Sequence, residues 1–600
     1  MFIGLSFRQV SENLHVDQNG VNFTYSDGKK EETRLLDIVS TAQNLSSTSW
    51  DLHETADTWV ERYHLSIHRA AIIRCLSFDP NLRVLEIGAG TGSITRALGE
   101  KFSRVDAIEG SIDRARVCAS RCRDLPNVRV FAADINRLSP EPLYDLVFLI
   151  GVLEWSRGFI EDSDPVHRCL QIASAALKED GKLIVAIENQ IGLKYFLGSG
   201  EDHCGIPMES LHGYPNFNKA ETFSRFKLSR LLKEAGLPNS RFMYPFPDYK
   251  LAKVVLTDEA VSLCSESIAY WASRYKFEDY QVPDRYCSGN QLLIASEVAK
   301  AGLLGELSNS FLAIAAREET VIDDPPWLVW SERLTRNASL CSTTTLENVN
   351  DGLLVKKGFP QPPEQEQSLN KSTFQLNPLP MQPFFDGTSI EIELLRCAIS
   401  GKTSDFVQII NEWLAYVKKY FSFADGNLIQ PTAWDCIPRN LVRLANGEMA
   451  VFDLEFVRKQ TFSLEELCGR GLLCWFCDHA PWTVSLYPEG KTIRDKILFI
   501  LHRVFTSIDS RHTLDSVARS EAEFQKWVNP GEKLDIDYML NAPVRRGDLG
   551  GDIAERLRVK ENELIQLREH ADRLQLFCDT VRQTWVYRAY RRFIKPLKTK

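Results

Sequence analysis

Short apolar runs alternate with amphipathic stretches over the first half of the chain. The runs "RVLEIG" (83–88), "RVDAIE" (104–109), "VRVFAAD" (128–134), "YDLVFLIG" (144–151) and "GKLIVAIE" (181–188) are dense in Val, Ile and Leu, as strands buried on both faces are. Helical spacing fills the gaps after Gly92, from Ser111 to Arg123 and from Asp164 to Lys178. This alternation predicts an α/β fold with a mostly parallel sheet and helices on both faces. "WVERYHLSIHRAAIIRCL" from Trp59 predicts a leading helix, and "TFSRFKLSRLLKEAG" (222–236) a later one stopped by Gly236. "YPFPDYKLAKVVLTD" (244–258) and "NQLLIASE" (290–297) read as closing strands, so the α/β domain spans 59–300. Residues 1–58 form a polar N-terminal extension in which "YSDGKKEE" predicts a hairpin or loop.

The pattern shifts near 298–326. A second unit over 325–530 opens with "PPWLVW", is interrupted by the surface-loop composition "FPQPPEQEQSLNKS", and continues in helical spacing. "CGRGLLCWFCDHA" (468–480) reads as a buried apolar helix rather than a metal site. Residues 551–600 carry heptads, with Leu557, Leu564, Ala571 and Cys578 at one seam position and Lys560, Leu567, Leu574 and Val581 at the other. They predict a short coiled coil and a homo-oligomer through it. The basic, aromatic end "RQTWVYRAYRRFIKPLKTK" suits an anionic inner-membrane surface or a partner protein.

Composition narrows the class. A chain of 600 residues exceeds one hydrophobic core, and 44% hydrophobic with 25% charged residues is ordinary for a globular protein. A net charge of −9 argues against a general nucleic-acid binder. There is neither a membrane-length apolar run nor a signal-peptide pattern, and the 14 cysteines are scattered. The expectation is a cytoplasmic protein.

The candidate chemistry starts at "VLEIGAGTGSITRALGE" (84–100), where Gly88, Gly90 and Gly92 stand between a strand and a helix. Bare backbone there presents free N–H groups and lets a ligand approach closely. The spacing E-x-G-x-G-x-G from Glu86 differs from the dinucleotide fingerprint G-x-G-x-x-G. It resembles motif I of class I S-adenosylmethionine-dependent methyltransferases. That resemblance implies that Glu86, Gly88, Gly90 and Gly92 hold the cofactor S-adenosylmethionine. It also implies that Glu109 accepts the ribose hydroxyls and Asp134 accepts from the adenine amino group. Near the strand ends, Glu154, Glu188, Asn189, His203 and His212 are candidates for acceptor-side chemistry, with His203 and Glu154 taken as catalytic. "IENQIGLKYFLGSGEDH" and "YPFPDYKLAKVV" resemble methyltransferases of bacterial polysaccharide and O-antigen synthesis, which implies a glycan or lipid-linked glycan acceptor.

In the second unit, "AWDCIPRNLVRLANGEMAVFDLEF" (433–456) places Asp435 and Asn440 in D-x-x-P-x-N before a strand ending at Asp453. This order resembles protein-kinase-like and aminoglycoside-phosphotransferase-like α+β domains. It implies Asp435 as base, Asn440 and Asp453 as Mg2+ ligands, and ATP as a further cofactor. "TTTLENVNDGLLVKK" (343–357) predicts a hairpin presenting Lys356, or Lys357 in a shifted register, to the phosphates. No glycine-rich phosphate loop precedes it, and Ala433 replaces the usual histidine. The whole resembles dual kinase–methyltransferases that terminate O-antigen chains. A scaffold positioning glycosyltransferases through the tail is the expectation from a different class.

Overall fold

The computed structural model describes residues 4–20, 26, 28–277, 289–319, 322–349, 352–359, 372–423, 428–506, 509–531 and 535–544. The predicted coiled coil and basic tail, and the Pro/Gln-rich stretch from 360 to 371, lie outside them.

The apolar runs become the centre of one large sheet. Leu14–Asp17, Val128–Ala132, Arg104–Glu109, Arg83–Ile87, Tyr144–Ile150 and Leu177–Glu188 lie side by side in that order, all parallel. Their alternation feeds two cores: Leu85, Ile87 and Leu149 pack on one face, and Val84, Phe148 and Ile150 on the other. Helices such as Ser93–Lys101, Ile112–Arg121 and Pro165–Ala176 supply the crossovers.

Three local expectations change. Gln291–Lys300 is a helix, not a strand, because the Asn290 side chain accepts from the Leu293 amide and caps it. The closing strand is Ser310–Ala316, which inserts antiparallel between Leu177–Glu188 and Asn239–Phe246. The leading helix breaks at Ser66, whose extended backbone separates Trp59–Leu65 from the 3-10 turn Ile67–Ala70 and the short helix Ala71–Arg74. In the extension, Ser26 and Gly28 of the expected hairpin or loop have irregular backbone, whereas Lys29–Glu32 open the helix Lys29–Thr41; Phe7–Gln9 with Leu14–Asp17 build the sheet edge.

Beyond Asn239–Phe246 the sheet runs on, antiparallel throughout, into the second unit. Val254–Thr257 pairs with Val329–Arg333, followed by Ser342–Val349, Gly352–Gly358 and Met381–Pro383. Helices including Ile390–Ile399, Thr403–Phe421, Leu464–His479 and Ser510–Val528 then enclose a separate core around Trp413, Trp434 and Phe406. Ser463 and Glu466 form a capping box at the start of Leu464–His479. Its cysteines are free, and His479 Nε2 meets Glu391 Oε1 at 2.6 Å. Among the described residues no helix is long and apolar enough to cross a membrane.

Candidate functional site

The glycine loop leaves the end of Arg83–Ile87 with Gly88, Gly90 and Gly92 at φ +83°, +57° and +85°. Left-handed backbone of this kind favours glycine. The loop is pinned from beneath, since the amides of Gly88 and Ala89 both donate to the Ile108 carbonyl, at 2.8 and 2.9 Å. Glu109, at the end of the neighbouring strand, accepts from the Gly90 amide at 2.6 Å and from the Ser111 amide at 2.8 Å. One carboxylate therefore ties the loop to the start of the next helix while lining the cavity above it. Glu86 lies beneath the loop, accepting from Thr95 Oγ1 at 2.6 Å, and burial pushes its pKa up to about 7.

The loop floors a cavity of about 330 Å³. A side chain at Gly88 would meet Val152 Cγ2 at 2.4 Å, and one at Gly92 the Cys118 backbone at 2.8 Å. At Gly90 only the Arg114 guanidinium stands within 4 Å. The loop is thus bare where it faces the cavity and tight where it faces the fold, which suits a cradle for a nucleoside-bearing cofactor. Asp134 sits beside the cavity, just after the strand Val128–Ala132. Its carboxylate accepts from the Asn136 amide and side chain, both at 2.9 Å, and caps the short turn Ile135–Arg137. Its neighbours Ala133 and Ile135 line the cavity instead.

The far end of the cavity gathers Glu154, Glu188 and His203 from three elements: the turn after Tyr144–Ile150, the end of Leu177–Glu188, and the loop that follows. His203 Nδ1 meets Glu201 Oε1 at 2.8 Å, while Glu201 Oε2 accepts the His203 and Cys204 amides. This fixes the ring with Nε2 facing Glu188 Oε2 at 3.8 Å and Glu154 Oε1 at 3.9 Å. Trp155 packs edge-on against the imidazole at 5.0 Å. Burial acts to strip the imidazolium of its proton. The Glu188 charge, with Glu154 and Glu201, outweighs burial and holds the His203 pKa well above its usual range. Burial raises the Glu154 pKa. Lys250 bridges Glu188 at 2.6 Å and Asp202 at 2.5 Å, and Lys194 holds the other oxygen of Asp202 at 2.6 Å.

His203, Glu154 and Glu188, three of the acceptor-side candidates, therefore come together in one cavity. Asn189 serves the fold, donating to the carbonyls of Glu306 and Ser308, and His212 is exposed away from the cavity. Sequence reasoning missed Glu201, Asp202 and Lys250 as site residues, although all three stand in the quoted stretches around "GEDH" and "PDYK". It also missed Tyr249, which stands in the same "PDYK" stretch, and Arg69, which lines the cavity from a turn carrying no motif.

A second cleft lies under the sheet of the second unit. Lys357 reaches Asp453 Oδ1 and Glu455 Oε2, both at 2.5 Å, and Arg336 meets Glu455 Oε1 at 2.8 Å. Burial acts to raise the Asp453 pKa, but the Lys357 charge overrides it and holds it well below the usual carboxylate range. The lysine expectation is corrected in register. Lys356 points to the other face of the strand, onto Glu347 at 2.5 Å, and Lys357 is the one in the cleft. Asp435 and Asn440 are not part of the cleft wall. Asp435 Oδ1 meets Arg470 at 3.1 Å, and Asn440 donates to the Asp435 carbonyl at 3.0 Å. Among the described residues, Glu154, Glu188 and His203 are the one group of three acidic, histidine or cysteine side chains at metal-ligand spacing, and Asp435 and Asp453 belong to no such group.

Residues 85–183 match a family model described as "Methyltransferase domain". A malonyl-[acyl-carrier protein] O-methyltransferase of Bacillus anthracis is 27% identical over 114 residues, covering 19% of this chain and 40% of that protein. The enzyme of the same description from Priestia megaterium is 27% identical over 183 residues, covering 30% of this chain and 61% of that protein. The chain thus spans less than two thirds of the length of these relatives. A solved Haemonchus contortus phosphoethanolamine N-methyltransferase 2, in complex with S-adenosyl-L-methionine, aligns at 16% identity. It covers 48% of this chain and 57% of that one, with a TM-score of 0.26. With the glycine loop and parallel sheet already described, the family match means that the chain carries a class I S-adenosylmethionine-dependent methyltransferase domain.

Proposed function

We propose that the chain transfers the methyl group of S-adenosylmethionine to an oxygen of a glycan or lipid-linked glycan. The observation that carries methyl transfer is the glycine loop joined to Glu109 over a cavity whose other end holds Glu154, Glu188 and His203. Glu86, Gly88, Gly90, Gly92 and Glu109 would hold the cofactor. When bound, it supplies an electrophilic methyl on a sulfonium, so the acceptor oxygen's lone pair forms the new C–O bond and the C–S pair stays on sulfur. The protein's part is alignment and proton removal. Glu154, whose Oε2 has no hydrogen-bond partner among the described residues, would take the hydroxyl proton. The polysaccharide resemblance falls on Glu188, Asp202, His203, Tyr249 and Lys250, the residues at the acceptor end, and this supports a glycan acceptor.

Calorimetry tests the cofactor half: the wild type binds S-adenosylmethionine, and Glu109→Ala weakens binding at least about tenfold, the loss of one charge-assisted contact. Mass spectrometry of surface glycan from cells with and without the protein tests the acceptor half. A methyl (about 14 Da) present only with the protein supports it. Unchanged glycan alongside methylation of an acyl carboxylate replaces it.

A second reading has its own observation, the Lys357–Asp453–Glu455 cluster in the second cleft. It supports a kinase-like unit that phosphorylates the acceptor before methylation. On that reading Asp435 would be the base and Asn440 and Asp453 would hold Mg2+, after Asp453 exchanges its bond to Lys357 for the ion. A scaffold role would rest on the tail, outside the described residues.

A further inference from the structure

From Glu154, Glu188 and His203 we infer a binding site for one first-row divalent cation of the Mn2+ or Zn2+ kind, at the acceptor end of the methyl cavity. One atom of each residue lies within 4.8 Å of the others. The set is two carboxylate oxygens and one imidazole nitrogen, a donor mix suited to borderline cations rather than to Ca2+ or Mg2+.

The spacing itself points to a missing centre. Nε2 stands 3.8 and 3.9 Å from the two carboxylates, too far for hydrogen bonds. Two metal–ligand bonds of about 2.0–2.2 Å span that gap at a wide angle. The satisfaction of the groups agrees. Among the described residues, Glu154 Oε2 and Glu188 Oε2 have no hydrogen-bond partner, although the two residues are only 2% and 0% exposed. Lys250 meets Glu188 as an ion pair through Oε1, which leaves Oε2 toward His203. The third observation is the support behind the histidine. Glu201 engages Nδ1 at 2.8 Å and accepts two backbone amides, the carboxylate–histidine arrangement that orients a metal-binding ring and presents Nε2.

A cation there would sit beside the methyl cavity and grip the acceptor oxygen, lowering its hold on its proton. This use rests on the methyl-transfer reading; the existence of the site does not. The test is Mn2+ titration of the chelator-stripped full chain, followed by electron paramagnetic resonance, with S-adenosylmethionine affinity measured by calorimetry on the same samples. One Mn2+ per chain is expected. His203→Ala and Glu188→Gln each weaken it at least about tenfold, with the fold checked by circular dichroism. Glu154→Gln, which keeps shape and volume, gives a second arm if either of those fails to fold. His212→Ala, at an exposed position away from the cavity, leaves Mn2+ binding as it was. No stoichiometric Mn2+ in the wild type, binding indifferent to all three site variants, or binding lost only in His212→Ala overturns the inference. Failure of S-adenosylmethionine to bind while Mn2+ does so overturns the methyl-transfer reading instead.

Discussion

At the scale of residues, the three loop glycines separate by what stands opposite them. A Cβ at Gly92 would lie 2.8 Å from the Cys118 Cα, backbone that cannot swing aside. One at Gly90 meets only the end of Arg114, at 3.0 Å. Gly92→Ala is expected to cost about 3 kcal/mol or more of stability through overpacking and left-handed strain. Gly90→Ala is expected to cost about 1–2 kcal/mol while abolishing S-adenosylmethionine binding. Urea unfolding and calorimetry separate the two; equal destabilisation would show that the loop's bareness serves only the fold.

Glu86 gives a pH dependence at the same scale. Its folded pKa of about 7 lies above the ordinary glutamate value of 4.5 because burial opposes its charge. Between these values the folded chain holds a proton that the unfolded chain has released. The associated stability is therefore full below pH 4.5, falls as pH rises through 7, and stays lost above it. The shift corresponds to about 3 kcal/mol. Glu86→Gln removes the loss, so urea unfolding at pH 8 relative to pH 5 should favour the variant by up to that amount. An identical pH slope in both proteins would mean that Glu86 titrates normally.

At the scale of elements, a one-residue register decides which lysine serves the second cleft. On the kinase-like reading, Lys357→Ala abolishes the thermal stabilisation by Mg-ATP, whereas Lys356→Ala, which loses only the Glu347 pair, keeps it. Stabilisation surviving Lys357→Ala would remove that reading's phosphate contact. The sequence left the register open because "GLLVKKG" has no clean alternation: Leu353, Leu354 and Val355 are all half-buried. The five central strands were legible because continuous Val/Ile/Leu runs flank glycine and polar turns. "NQLLIASE" misled because a short apolar run fits a strand or a helix equally, and only the Asn290 cap decides it. Ser310–Ala316, "SFLAIAA", is itself an apolar run and all seven residues are buried between two partner strands; it was passed over because 290–297 had taken the place of the closing strand. In the site, the glycine loop and His203 were visible as local words. Arg69 was not, because only the tertiary fold brings its turn to the cavity.

At the scale of the whole molecule, the sheet makes the two units one structural object. Val254–Thr257 is buried along its whole length and pairs on its outer edge with Val329–Arg333, Val329 lying opposite Leu256. Arg74, just after the turn that carries Arg69 to the cavity, closes an ion pair onto Glu332 of that same outer strand. Removing the second unit would therefore expose an apolar strand edge and leave Arg74 without its carboxylate, and exposed edges of this kind pair with other chains. A chain ending at residue 322 should associate with rising concentration in light scattering, while the full chain unfolds in one cooperative transition. Glu332→Ala in the full chain isolates the electrostatic part: it leaves a partly buried arginine unpaired and should cost about 3 kcal/mol. A shortened chain that stays monomeric with the full chain's melting temperature would show instead that the methyltransferase unit folds without its neighbour, and that the shared sheet joins two independent domains.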